Sequence, residues 1–191
     1  MLILKHWTKL KNYLEIWRNN YLTYIAEPIQ RTELRSLAKV IRKILQVEDR
    51  LYIPVITILE KVMPLLFPNF SYEYVPKEEF PDKKHGETDI VNHIVRIRED
   101  VYYGAIEGNG RDRMTVMHEI AHYLLLVICG VKFERNFENT DVITYKDPEW
   151  QAKALAGEIM CPHELIKSFS ADEVAEKCGV SLPAARYNLS H

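Results

Sequence analysis

Arg113-Met114-Thr115-Val116-Met117-His118-Glu119-Ile120-Ala121-His122-Tyr123-Leu124-Leu125 places the pattern His-Glu-x-x-His inside an apolar run that reads as a helix buried on nearly every side. In a helix, His118 and His122 are four residues apart and project from one face, a turn apart, so both imidazoles can reach one ion. Glu119 lies about 100° further round. That sets its carboxylate beside a metal-bound water, where a general base is needed, and not on the metal. Ionisable groups on a buried helix are costly unless paired or ligated, so these three side chains ask for a chemical reason to be there.

A catalytic zinc site takes three protein ligands and keeps a fourth position open. Downstream, the stretch from Asp147 to Pro162 reads as a second helix, with Asp147 at its N-cap, Pro148 in the first turn and Pro162 just past the end. Two carboxylates compete on it. Glu149 and Glu158 are nine residues apart, about 180° around the wheel, so both cannot face the metal helix. Glu149 shares its face with Ala152 and Ala156, whose small side chains allow a close helix approach. It is the expected third ligand, with His163 in reserve. Tyr123 is on the right helix to steady an oxyanion, but reads as a packed aromatic.

The chain has 191 residues, 47% of them hydrophobic, enough for one domain with a real core. A net charge of -2 and a pI near 6.4 give no overall electrostatic reason to bind nucleic acid or an anionic membrane. Cys129, Cys161 and Cys178 are odd in number and widely spaced, which suggests neither a disulfide framework nor a thiolate zinc site. Lysines interrupt the apolar start, so no signal peptide is expected. No run is long enough for a bilayer, and a cytoplasmic protein is the expectation.

From the N-terminus, Leu4, Trp7, Leu10, Tyr13, Leu14 and Trp17 have helical spacing over residues 1 to about 27. Arg31 to Leu45 resumes that rhythm, and its basic residues read as a solvated face. Val55 to Leu66 is a third helix, with Pro64 near its end. Phe70 to Val75 alternates as a strand, residues 76–88 read as a charged loop or hairpin connection, and Asp89 to Arg98 reads as a second strand. Val91, Ile94, Val95 and Ile97 on that second strand would form a sheet edge to which an extended substrate could add. Asp100 to Gly108 reads as a short helix and Gly108-Asn109-Gly110 as a turn. Asp112 or Thr115 would cap the metal helix, and Gly130 would end it. Residues 165–191 have the rhythm of a helix-turn-helix tail. Arg186 is its one strong base-reading residue, so a packing element or partner contact is expected there before DNA.

The run 111–123, followed by Glu149-x-x-Ala152-x-x-x-Ala156-x-x-Ile159-Met160-Cys161-Pro162, resembles the ImmA/IrrE-type metallopeptidases of bacteria, phages and integrative elements over roughly residues 34–191. It departs from their usual pattern at Met114, Met117 and Lys153 to Ala156, none of them an expected ligand. The resemblance implies an α+β, compact gluzincin-like (zincin-like) domain, a buried metal helix packed with other helices and a small sheet. Residues 1–33 would be an N-terminal extension and residues 34–191 the metallopeptidase domain. It further implies that His118, His122 and Glu149 hold one Zn2+, that Glu119 activates water, and that the substrate is a cytoplasmic helix-turn-helix repressor of a mobile element or stress response. The alternative expectation is a non-catalytic regulatory protein that binds a repressor, a toxin or antitoxin partner, or DNA.

Overall fold

The structure, a computed structural model, describes residues 28–80, 84–89, 91–129 and 147–191. The aromatic helix expected over residues 1 to about 27 and the helix stop expected at Gly130 lie outside them. Helix α1 (Arg31–Ile44) is capped at its start, where the Gln30 N–H donates to Glu33 Oε2 at 2.8 Å. Its buried stripe of Leu34, Leu37, Ala38 and Ile41 is the one the spacing predicts. The expected boundary between residues 33 and 34 falls inside this helix.

The arginines of α1 do not form the solvated face expected of them. Arg42 is 2% exposed and donates to the carbonyls of Ile159, Val47, Glu48 and Arg50 at 2.5–3.0 Å. Arg31 and Arg35 reach the buried carboxylate of Glu158, each at 3.0 Å. A guanidinium is long and carries five donors, so it can thread beside an apolar stripe and satisfy carbonyls that periodicity does not reveal. Next, α2 (Val55–Thr57) and α3 (Met63–Leu66) are joined by a π-helical turn over Ile58–Val62. Pro64 has no N–H for the α ladder and its ring crowds the preceding turn, and the wider turn absorbs that conflict.

Three strands follow: β1 (Ser71–Val75), β2 (Gly86–Asp89) and β3 (Ile94–Arg98), in the order β1-β3-β2. β3 pairs parallel with β1, Tyr72 opposite Val95, and antiparallel with β2, Thr88 opposite Val95. Two expectations are corrected here. Asp89 to Arg98 is not one strand. The Asp89 carboxylate accepts from the N–H groups of Val91 and Asn92 at 3.0 and 3.1 Å, and His93 takes a positive φ of 57°, which folds the chain back before β3. Nor do Val91, Ile94, Val95 and Ile97 offer an open edge. β3 is the central strand, with Val95 and Ile97 both 0% exposed, and Val91 sits in the turn. Among the described residues the edge strands are β1 and β2, and the Gly-Glu-Thr-Asp sequence of β2 lacks the apolar alternation that marks a half-buried strand.

After α4 (Glu99–Ile106) comes α5 (Gly110–Cys129), the metal helix of the sequence analysis. Asn109, not Asp112 or Thr115, caps it: its Oδ1 accepts from the N–H groups of Arg111 and Asp112 at 3.0 and 3.3 Å. Val116, Met117, Ile120, Ala121, Leu124 and Leu125 are all buried. α6 (Pro148–Met160) packs along α5 through Ala152 and Ala156, both 0% exposed, as their small size predicts. α7 (His163–Ile166), α8 (Ala171–Cys178) and α9 (Leu182–Leu189) complete a mixed α+β fold. Gly179, in the left-handed region at φ 62°, makes the turn between α8 and α9. Val174, Cys178, Val180 and Ala185 of that pair belong to the core. No helix among the described residues is long and apolar enough to cross a membrane.

Arg113 ties the C-terminal pair to the rest. It is 2% exposed, donates from Nε to the Gly179 carbonyl at 2.8 Å and from Nη2 to the Ile53 carbonyl at 2.9 Å, and lies 3.7 Å from the centre of the Tyr52 ring. Replacing it strands two carbonyls in the interior. Arg113→Leu should lower the unfolding free energy by about 3 kcal/mol, read from the midpoint and slope of a urea melt.

Candidate metal centre

The first turn of α6 carries Glu149 to the exposed side of the two histidines. The Asp147 carboxylate accepts from the Glu149 N–H at 3.0 Å, which fixes the turn, and Pro148 occupies the first helical position as expected. His118 Nε2 and His122 Nε2 are 3.0 Å apart, Glu149 Oε2 is 3.2 Å from the first, and Glu149 Oε1 is 3.3 Å from the second. A tetrahedral ion with bonds of about 2.0–2.1 Å separates its ligand atoms by about 3.3 Å. The spacing fits. These three residues form a group that could hold a metal, with Glu119 outside it. Hydrogen bonds from His118 and His122 hold the Glu149 carboxyl well below the usual carboxylate range.

Glu119 faces the cleft beside them. It is 7% exposed, and burial pushes its carboxyl up, opposed by the charges of His118 and His122 and by a hydrogen bond from Thr88. Thr88 Oγ1 lies 2.9 Å from Glu119 Oε2 and 3.0 Å from the Glu119 carbonyl, so its single proton is shared between, or given to one of, these two acceptors. β2 can come this close because of Gly86. A Cβ there would stand 2.8 Å from Glu119 Cγ and 3.1 Å from its Oε1. Thr88 and Gly86 were invisible as site residues because their strand reads as a loop.

The walls of α5, β2 and α6 enclose a cleft of about 1120 Å³ that His118, Glu119, His122 and Glu149 all line. Toward its far end Arg111 Nη2 donates to His85 Nε2 at 2.9 Å. A guanidinium cannot accept, so this imidazole is neutral with its proton on Nδ1. Burial and the charges of Arg98 and Arg111 lower the His85 pKa to match.

The competing residues go elsewhere. Glu158 is 2% exposed and sits between Arg31 and Arg35 of α1. His163 lines a separate cavity of about 170 Å³ with Arg42 and Glu158 and is not among the metal-binding group. Tyr123 is 1% exposed, packs edge-on against Phe67 and Phe70, and meets His93 Nδ1 through its hydroxyl at 3.1 Å. It is a packed aromatic outside the cleft. Cys161 and Cys178 are free and buried.

No protein-family model matches the chain, and no curated protein does. Among solved structures, a Mycobacterium tuberculosis transcriptional regulator is similar in fold, with a TM-score of 0.55 and 15% sequence identity. The likeness covers 93% of this chain and 50% of that one, so this chain spans about half its length.

A ligand set of this geometry has a direct readout. Zinc added to metal-stripped protein, at 100-fold over its dissociation constant, should stabilise it by about 2.7 kcal/mol and raise the melting temperature. One equivalent should saturate the effect, and His118→Ala and Glu149→Ala should each abolish it.

Proposed function

We propose that the chain is a zinc-dependent endopeptidase of the ImmA/IrrE type, with a zincin-like fold, acting on a cytoplasmic helix-turn-helix repressor. The observation that carries the reading is the division of labour around one cleft. His118, His122 and Glu149 converge at 3.0–3.3 Å, while Glu119 stands next to them and belongs to none of those contacts. An ion held there supplies Lewis-acid polarisation of a peptide carbonyl and acidification of water.

The remaining steps fall to the chain's own groups. Glu119 takes the proton of the attacking water and passes it to the leaving amine. Its carboxyl is 7% exposed and stands beside the metal group, where burial pushes its pKa up. Thr88 keeps that carboxylate aimed, since a side chain with one hydrogen-bonded oxygen has fewer rotamers open to it. The edge of β2 beside the cleft, unpaired among the described residues, would offer main-chain N–H and C=O groups to an extended peptide, which would add as a further strand. Such recognition reads backbone first and leaves sequence preference to side chains around the rim.

A protein substrate with a regulatory role suits both the resemblance and the solved structure of similar fold, which is named a transcriptional regulator. Direct DNA binding by this chain finds less support. α8 and α9 bury Val174, Cys178 and Ala185 against the body, and the turn between them is held by Arg113.

Cleavage of a random peptide library, followed by mass spectrometry, separates the roles. Glu119→Gln should keep the zinc-induced rise in melting temperature and lose at least about 100-fold in cleavage rate. Thr88→Val should keep the zinc response and lose about tenfold. Full cleavage by zinc-loaded Glu119→Gln would end the mechanism.

A further inference from the structure

The cleft extends beyond the metal group toward the N-terminal end of α5. Arg111 lies seven residues before His118, two turns back on the same face and about 10 Å along the axis. It lines the same cavity as His118, Glu119 and Glu149. Its guanidinium is held by His85 at 2.9 Å. His85 is held in turn at the mouth of β2, where its carbonyl accepts from the Arg98 N–H at 3.0 Å.

The cleft is lined by four carboxylates, Glu87, Asp89, Glu119 and Glu149, and three cations, Lys84, Arg111 and Lys153. Each acidic group on its walls is engaged. Glu87 pairs with Lys84 at 2.5 Å and with Arg96 at 3.3 Å, and Asp89 closes its own turn. Glu119 takes the Thr88 hydroxyl, and Glu149 faces the two histidines. The cations are another matter. Among the described residues neither Arg111 nor Lys153 makes an ion pair with a carboxylate. Lys153, one turn past Glu149, rests over the Tyr187 ring at 5.4 Å. Arg111 feels the charge of Asp112 beside it, but neither it nor Lys153 has a carboxylate at ion-pair distance among the described residues, so either can receive one that a ligand brings. Of the two, Arg111 presents the planar fork that grips a carboxylate with paired hydrogen bonds, whereas the Lys153 ammonium is a point charge on a flexible stem.

We infer that Arg111 is a recognition residue for a carboxylate of the bound chain, so that the cleft selects peptides carrying an acidic side chain or a free C-terminus near this position. An extended chain advances about 3.3 Å per residue, so the 10 Å along α5 places that carboxylate about three residues from the metal group. The inference deepens the peptidase reading and rests on it for the identity of the cleft as a peptide site.

The test uses the full chain as zinc-loaded Glu119→Gln, which is expected to bind without cutting. The probes are fluorescent alanine-rich decapeptides with Glu scanned through single positions, each with Gln and Lys counterparts, and each with an amidated or a free C-terminus. At one or two adjacent positions the Glu peptide should bind at least about fivefold tighter than the Gln peptide. Arg111→Ala in the same background should remove that ratio, and Arg111→Glu should shift the preference to Lys. A preference that follows the scanned Glu assigns the carboxylate to a side chain, and one that follows the free terminus over the amide assigns it to the C-terminus. Because Arg111 is exposed, its variants should keep the zinc-induced melting shift, which checks their folding.

An acidic preference left intact in Arg111→Glu overturns the inference, and so does equal binding of acidic, neutral and amidated peptides. The same peptides offered to the wild type keep the two ideas apart. Acid-selective binding with no cleavage leaves the subsite standing and removes the peptidase. Cleavage with no acidic selectivity does the reverse.

Discussion

Three ionisable side chains on a helix with almost no solvent around it need partners, and the neighbouring elements are arranged to supply them. α5 is apolar on most of its circumference and still carries His118, Glu119 and His122, with Glu119 and His122 only 7% and 9% exposed. Desolvating such groups is costly unless each meets a charge, a hydrogen bond or an ion. α6 brings Glu149 to the two imidazoles, and β2 brings Thr88 to Glu119. Both approaches depend on small residues. Ala152 and Ala156 let α6 lie against α5, and Gly86 lets β2 pass over Glu119 where a methyl group would collide.

The same need for partners explains how the periphery is attached. Arg42, Arg113 and the Arg31 and Arg35 pair each run a guanidinium into the interior, two of them to main-chain carbonyls and the pair to Glu158. Carbonyls at helix ends and loops lack donors from their own elements. A planar cation with five N–H groups can serve several at once. The helix-turn-helix rhythm near the C-terminus is therefore put to a packing use. The carbonyl of Gly179, in the turn between α8 and α9, accepts from Arg113.

How the fold presents the site follows from sheet order. β3 sits between β1 and β2 and is sealed on both sides, so its β-branched residues belong to the core. Among the described residues β1 and β2 are the edge strands, and the short polar β2 is the one that lines the cleft shared by His118, His122, Glu149 and Arg111. One cleft is then lined by β2, by the His118, His122 and Glu149 group that could hold a metal, and by Arg111 toward the start of α5.

By itself the sequence determined the elements whose signals are local. Four-residue spacing put His118 and His122 on one face, Asp147-Pro148 marked the start of α6, and the nine-residue separation of Glu149 and Glu158 forced a choice that small neighbours decided for Glu149. Periodicity likewise predicted the buried stripe of α1, because burial of an apolar face repeats with the helix turn. Only the tertiary structure decided which strands lie at the edges, where Arg42 and Arg113 point, and that Thr88, Gly86, His85 and Arg111 belong to the cleft. Those are pairings between residues far apart in the chain. No repeat encodes them, since a strand's neighbours are set by sheet order and a long polar side chain's partner by whichever carbonyl, carboxylate or ring the fold brings within reach.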